Sequence, residues 1–139
     1  MHGDESPDYC AALADWRVIK ALRVGPQYVP AEAARFRTHA ILLDAYSPRA
    51  HGGTGLVFDW TQAQRTRALV PRLFLAGGLT PANVAAAIAA VEPFAVDVCS
   101  GVEAAPGVKD LAKLRAFLAA VRAAAEKLQG RRDVEARER

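Results

Sequence analysis

Four short apolar runs, set apart by longer helix-like stretches, constrain the fold of this chain more than any other feature. They are residues 17–24 (RVIKALRV), 40–45 (AILLDA), 72–76 (RLFLA) and 95–99 (AVDVC). The second and third are almost continuously apolar, the pattern of parallel strands buried on both faces. Helix signals lie between them. Ser6-Pro7-Asp8 offers a capping residue followed by proline at the first helical position. Thr80-Pro81 repeats that signature ahead of a helix whose Val84, Ala87, Ile88 and Val91 share one face. A last helix is predicted over residues 109–129, with Leu111, Leu114, Leu118, Val121 and Ala125 as its inward stripe and Gly130 as its stop. Strand and helix in alternation predict a parallel sheet with right-handed crossovers. Two α/β architectures satisfy this: an open doubly wound sheet, or part of a (β/α)8 barrel. Spacing alone does not separate them.

Composition narrows the class. The chain has 139 residues, 52% of them hydrophobic, with 18 basic and 15 acidic side chains giving a net charge of +3. This fits one globular domain, read as residues 1–129, followed by a charged, frayed tail over 130–139. No apolar run approaches the roughly 18 residues of a membrane span, and no basic leader precedes an apolar stretch, so a cytoplasmic protein is expected. Basic and acidic residues are interspersed, which argues against nucleic acid as a partner. Cys10 and Cys99 are too few for a zinc site or a disulfide framework, and both are expected to pack as small buried hydrophobes.

In either architecture ligands gather at the C-terminal ends of the strands. The second strand ends in Asp44 and leads to His51-Gly52-Gly53-Thr54-Gly55. The third ends in Gly77-Gly78-Leu79-Thr80, and the fourth carries Asp97 before Ser100-Gly101-Val102-Glu103. Glycines after strands let a ligand approach the backbone, and helix N-termini offer unpaired N–H groups to anions, so three such loops on one rim point to phosphate. Each loop also has a plainer reading. Gly77-Gly78 serves equally as a tight turn, and the glycine cluster at 52–55 matches neither a Walker loop nor a dinucleotide fingerprint. A carboxylate ending an apolar strand is costly unless paired or used, which favours function for Asp44 and leaves Asp97 divided between function and structure. His2, His39 and His51 share no ligand spacing, so no metal is expected. Trp16 and Trp60 read as core or rim residues.

Taken together, ILLDAYSPRAHGGTGLVFDW, RLFLAGGLTPANVAAAI and AVDVCSGVEAAPGVKDLAKLRAFL resemble the C-terminal part of the phosphoribosylanthranilate isomerase family, a (β/α)8-barrel family of tryptophan biosynthesis. The opening HGDESPDYC and RVIKAL are similar to that family's segment from the end of strand four through strand five. The likeness runs in order from His2 to about Val121. It implies a TIM-barrel fold of which this chain covers about strands five to eight. The implied reaction is an Amadori rearrangement of N-(5-phosphoribosyl)anthranilate to 1-(2-carboxyphenylamino)-1-deoxyribulose 5-phosphate, an intramolecular aldose–ketose redox isomerisation.

The same resemblance assigns roles. Asp44 is the expected general acid and Asp97 the residue that orients the substrate. The phosphate is expected on backbone N–H groups of Gly77, Gly78, Ser100 and Gly101, and Gly53, Thr54 and Gly55 are expected to form a substrate loop. No cofactor is implied, because a protonated imine is its own electron sink. The family's early strands, with the cysteine that serves as general base, have no counterpart, so the chain alone is expected to be near-inactive, from an internal start or a truncated gene. Open strand edges are then expected to favour self-association or an N-terminal half as partner. The competing expectations are another phosphosugar isomerase or synthase, and a non-catalytic phosphate-binding half-barrel or a subunit needing an N-terminal partner.

Overall fold

A computed structural model of the chain describes residues 1–44 and 60–137. It divides into two units. The first comprises residues 1–77 and 93–97, and the second residues 78–92 and 98–139.

The first unit is built on a parallel sheet of β1 (Ile19–Arg23), β2 (Ala40–Asp44), β3 (Leu73–Ala76) and β4 (Ala95–Val96), in that order. The register places Ile41 beside Leu73 and Leu43 beside Leu75, so these four share one face of the sheet. All four are 2% exposed or less. Burial of each such leucine or isoleucine stabilises the fold by about 1.5–3 kcal/mol. Around the sheet, α1 (Pro7–Ala11), α2 (Pro30–Ala33) and α3 (Thr61–Arg67) bury Cys10, Ala33, Ala63 and Thr66. The Ser6 hydroxyl caps α1 by accepting from the Tyr9 N–H at 3.1 Å. Thr66 donates to the Gln62 carbonyl at 2.8 Å and shares a second 2.8 Å contact with the Tyr28 hydroxyl. Burial pushes the Tyr28 phenol up from its ordinary value, against the opposing pull of that hydrogen bond.

Lys20 is the exception on the apolar face. It is 2% exposed, and its ammonium donates to the Gly3 carbonyl at 2.5 Å and to Glu5 at 2.8 Å, with the Phe36 ring 5.7 Å away. A buried ammonium is tolerated only with such partners. The Lys20 hydrogen bond in turn holds the Glu5 carboxyl below its ordinary range. The clamp fixes the N-terminal loop against β1, and the Met1 carbonyl accepts from the Ala21 N–H at 2.7 Å.

The second unit contains α4 (Val84–Val91), a one-turn 3-10 helix (Ser100–Val102), a hairpin of β5 (Glu103–Ala105) and β6 (Val108–Lys109), and α5 (Leu111–Arg137). Val84, Ala87, Ile88 and Val91 are all buried, so the inward face of α4 is the one its periodicity predicts. Its start is different. The Thr80 carbonyl accepts from the N–H groups of Asn83 and Val84, and the Thr80 N–H is tied to Asn83 Oδ1 at 2.7 Å, so Thr80-Pro81 opens a turn and α4 begins at Val84.

Further expectations are corrected. The partial barrel of strands five to eight is replaced by an α/β fold with a parallel sheet. Among the described residues β1–β4 join that sheet, and β5 and β6 pair antiparallel with each other. The inward stripe of α5 is rotated: Phe117 and Ala124 are buried, whereas Leu111 is 66% and Leu118 45% exposed. The helix also passes through Gly130 to Arg137. There Glu92 pairs with Arg132 at 2.8 Å, and Gln129 bonds Asp133 at 2.8 Å one turn on, which gives the charged tail partners in helical form. Finally, Cys10 is buried as expected but Cys99 is exposed, because β4 ends at Val96 and the chain has left the sheet before Cys99. Trp16 is 74% exposed, which places it outside the core. No helix among the described residues is long and apolar enough to cross a membrane.

Candidate active site

Because β1–β4 are parallel, their C-terminal ends lie along one edge of the first unit. Arg23, Asp44 and Ala76 stand in one row there. Asp97 directly follows β4, and its N–H donates to the Leu75 carbonyl at 2.8 Å, which extends the ladder one step past Val96. The row therefore sets a half-buried Asp44 and an exposed Asp97 at the same end of the sheet, on strands separated by β3. The Asp44 carbonyl accepts from the Val24 N–H at 2.9 Å, which pins the end of β2 to the chain leaving β1. On the same face, one and two steps down the strands, come Leu42, Ala21 and Ile19. These apolar side chains, with His2, Arg23 and Asp44 above them, line an open cavity of about 420 Å³. A carboxyl group beside an apolar floor, with a histidine and an arginine lining the same cavity, can exchange a proton with a ligand while the guanidinium holds a negatively charged group of it.

Gly77 closes the first unit with φ at 95°, and Gly78 opens the second with φ at 62°. Two successive left-handed residues are readily accommodated only by glycine, so the Gly77-Gly78 pair is a conformational requirement of the turn after β3. Asn83 then binds the loop from both sides: its amide donates to the Gly78 carbonyl at 3.0 Å while its oxygen accepts from Thr80.

Within the second unit Gly101 lies directly against this loop. A Cβ on Gly101 would stand 1.8 Å from the Leu79 carbonyl oxygen, so the two backbones touch where no side chain fits. Ser100 and Gly101 open the short 3-10 turn, and the first N–H groups of such a turn have no acceptor within it. The turn is held from behind. Lys109 donates to the Cys99 carbonyl and to Glu103 Oε1, both at 2.9 Å, and Lys113 donates to the Glu103 carbonyl at 2.7 Å. The hydrogen bond between them keeps the Glu103 carboxyl below its ordinary range and the Lys109 ammonium above its own.

The sequence-predicted residues thus fall into two groups, each in its own unit. Asp44, Asp97 and Gly77 belong to the first, and Gly78, Ser100 and Gly101 to the second. Gly53, Thr54 and Gly55 lie outside the described residues, as does His51. Sequence reasoning missed Arg23, Asn83 and the pairing of Lys109 with Glu103. The last had a readable signal: opposite charges flank Pro106-Gly107, and Glu103 and Lys109 are register partners across that hairpin. Among the described residues no three His, Cys, Asp or Glu side chains cluster as metal ligands.

The model of the N-(5'-phosphoribosyl)anthranilate (PRA) isomerase family matches residues 1–120. The chain is 52% identical over 118 residues to the N-(5'-phosphoribosyl)anthranilate isomerase of Geobacter metallireducens, covering 85% of this chain and 57% of that protein. Among solved structures it resembles the phosphoribosyl anthranilate isomerase of Thermotoga maritima, with a TM-score of 0.75 and 41% identity, over 88% of this chain and 60% of that one. It also resembles a phosphoribosyl anthranilate isomerase solved with reduced 1-(o-carboxyphenylamino)-1-deoxyribulose 5-phosphate, with a TM-score of 0.68 and 40% identity, over 84% of this chain and 54% of that one. The chain therefore spans somewhat more than half the length of the relatives it matches. These likenesses bear on the family as such. They give no support to the narrower expectations of a C-terminal part alone or of a near-inactive chain, and they replace the partial barrel with an α/β fold on a parallel sheet matched over residues 1–120.

Proposed function

The chain belongs to the N-(5'-phosphoribosyl)anthranilate isomerase family, and from that premise we propose that it serves the Amadori rearrangement of N-(5-phosphoribosyl)anthranilate in tryptophan biosynthesis, in the cytoplasm. In this reading Asp44 is the general acid. It protonates the ribose ring oxygen, the C1′–O bond breaks, and the anilino nitrogen pushes its electron pair in to form a protonated imine. A base then takes the proton from C2′, and the electrons of that C–H bond flow to the imine nitrogen, giving an enolamine that tautomerises to the ketone. The imine is the electron sink, so the chemistry needs acid, base and orientation rather than a cofactor.

Asp97, exposed at the same end of the sheet, is assigned to orientation of the substrate. The phosphate is assigned to the backbone N–H groups of Gly77, Gly78, Ser100 and Gly101, in keeping with phosphate sites after late strands in α/β enzymes. Gly53, Thr54 and Gly55 are assigned to a loop over the substrate.

The observation that carries the reading is the position of Asp44: half-buried at the C-terminal end of an apolar strand, bordering an open cavity with an apolar floor. Its test is the loss of substrate fluorescence in a steady-state isomerase assay. Asp44→Asn is expected to lower kcat by about 10²- to 10⁴-fold with KM changed far less, because it removes the proton and keeps the shape. Equal turnover by Asp44→Asn and the unaltered chain would remove Asp44 from the mechanism.

A further inference from the structure

Lys109 touches none of the groups assigned above to the phosphate, yet its ammonium is directed wholly at the segment that carries two of them. An ammonium has three N–H donors. One meets the Cys99 carbonyl at 2.9 Å, one Glu103 Oε1 at 2.9 Å, and the third faces Cys99 Sγ at 3.7 Å. The residues on either side of the Ser100–Val102 turn are thereby tied to one point. Two more bonds complete the frame: the Asp110 N–H donates to the Val102 carbonyl at 2.9 Å, and Lys113 donates to the Glu103 carbonyl at 2.7 Å. On its other side the turn rests on the Leu79 carbonyl, with no room for a side chain at Gly101. A turn so bounded presents the Ser100 and Gly101 N–H groups in one arrangement.

We propose that Lys109 is a positioning residue for the phosphate, one that fixes the 99–103 segment so that the Ser100 and Gly101 amides are preorganised, without itself touching the anion. The inference rests on the phosphate assignment above. The alternative is that the Lys109–Glu103 pair merely stabilises the hairpin. Against that stands its exposure: the side chains are 44% and 12% exposed, and ion pairs near the surface contribute little to stability. Preorganised N–H donors, by contrast, keep their strength for an anion only while held in place. Loss of Lys109 is therefore expected to show in anion binding far more than in unfolding.

The experiment titrates the chain with inorganic phosphate and follows the amide resonances of Ser100 and Gly101, with a thermal melt of each variant alongside. The unaltered chain is expected to show saturable shifts at both amides. Lys109→Met is expected to weaken binding about tenfold while its melting temperature moves by only a few degrees. The double variant Lys109→Met, Glu103→Gln separates position from charge. It removes the carboxylate that the single variant leaves unpaired near the anion, so binding that stays weak supports positioning and recovery of binding overturns it. Equal binding by Lys109→Met and the unaltered chain overturns the inference alone, as does a Lys109→Met variant that fails to fold. A flat titration of the unaltered chain overturns the phosphate site itself and the inference with it.

Discussion

Gly101 is a position at which a single methyl group meets backbone. Its virtual Cβ stands 1.8 Å from the Leu79 oxygen and 2.9 Å from the Leu79 carbonyl carbon, and both are backbone atoms that no rotamer change can move. Gly101→Ala therefore has to push the Ser100–Val102 turn away from the Leu79 loop. Overpacking of this kind costs about 1–3 kcal/mol, and here the displaced groups are the amides assigned to phosphate. The expected outcome is a destabilised protein in urea titration together with phosphate binding below detection. Binding at the unaltered strength would mean that the two glycine loops do not form one anion site. Gly77 and Gly78 make a different demand, since their φ values of 95° and 62° are conformational rather than steric. The sequence displays these glycines equally, and only the backbone shows why each is there.

At the scale of elements, α5 separates what periodicity reveals from what it hides. Counting leucines at helical spacing picks out Leu111, Leu118 and Ala125, which lie one helix face away from Phe117 and Ala124, the two residues that are buried. Both stripes share Leu114 and Val121, which are half-buried, so hydropathy alone leaves the phase of an alanine-rich helix open by about one residue. Large side chains decide it. Phe117→Ala is expected to cost about 3–5 kcal/mol and Leu118→Ala about 0.5 kcal/mol, measured by urea denaturation; similar losses for the two would restore the predicted stripe. The strands were easier to read. β2 and β3 coincide with their apolar runs to within a residue, because parallel strands buried on one face and half-covered on the other carry little polar sequence. β4 shrank to Ala95–Val96 because Asp97 continues the ladder by only one hydrogen bond before the chain departs toward Cys99. Likewise the acids of the candidate site were legible as carboxylates ending apolar runs. The Lys109 frame was not, since its partners include a main-chain carbonyl, which no sequence pattern marks.

At the scale of the whole molecule, the two units share one electrostatic device, a glutamate lowered by a lysine. In the first unit Glu5 receives a hydrogen bond from Lys20, and in the second Glu103 receives one from Lys109. In both cases that hydrogen bond is the main reason the carboxyl lies below the ordinary 4.5. The sign follows directly. Between 4.5 and the lowered values the unfolded chain binds more protons than the folded one, so the contribution of each pair is complete above 4.5 and is lost as the pH falls through the folded value. Lys109, raised above 10.5 by the same bond, acts on the opposite side: its contribution holds below 10.5 and is lost as the pH rises through the folded value. Melting temperature is therefore expected to be level through the neutral range and to fall below pH 4.5. The double variant Glu5→Gln, Glu103→Gln is expected to melt lower at neutral pH, chiefly through the pair with buried Lys20, and to have a shallower acid limb. Salt distinguishes the two pairs, since Lys20 is 3% exposed at its side chain and Lys109 44%. Added sodium chloride is expected to weaken the second pair more than the first, because exposed charges are screened within about 8–10 Å of solution. Melts from pH 3 to 7 on both proteins decide the matter: an acid limb equally steep in the double variant would place the pH dependence elsewhere in the chain.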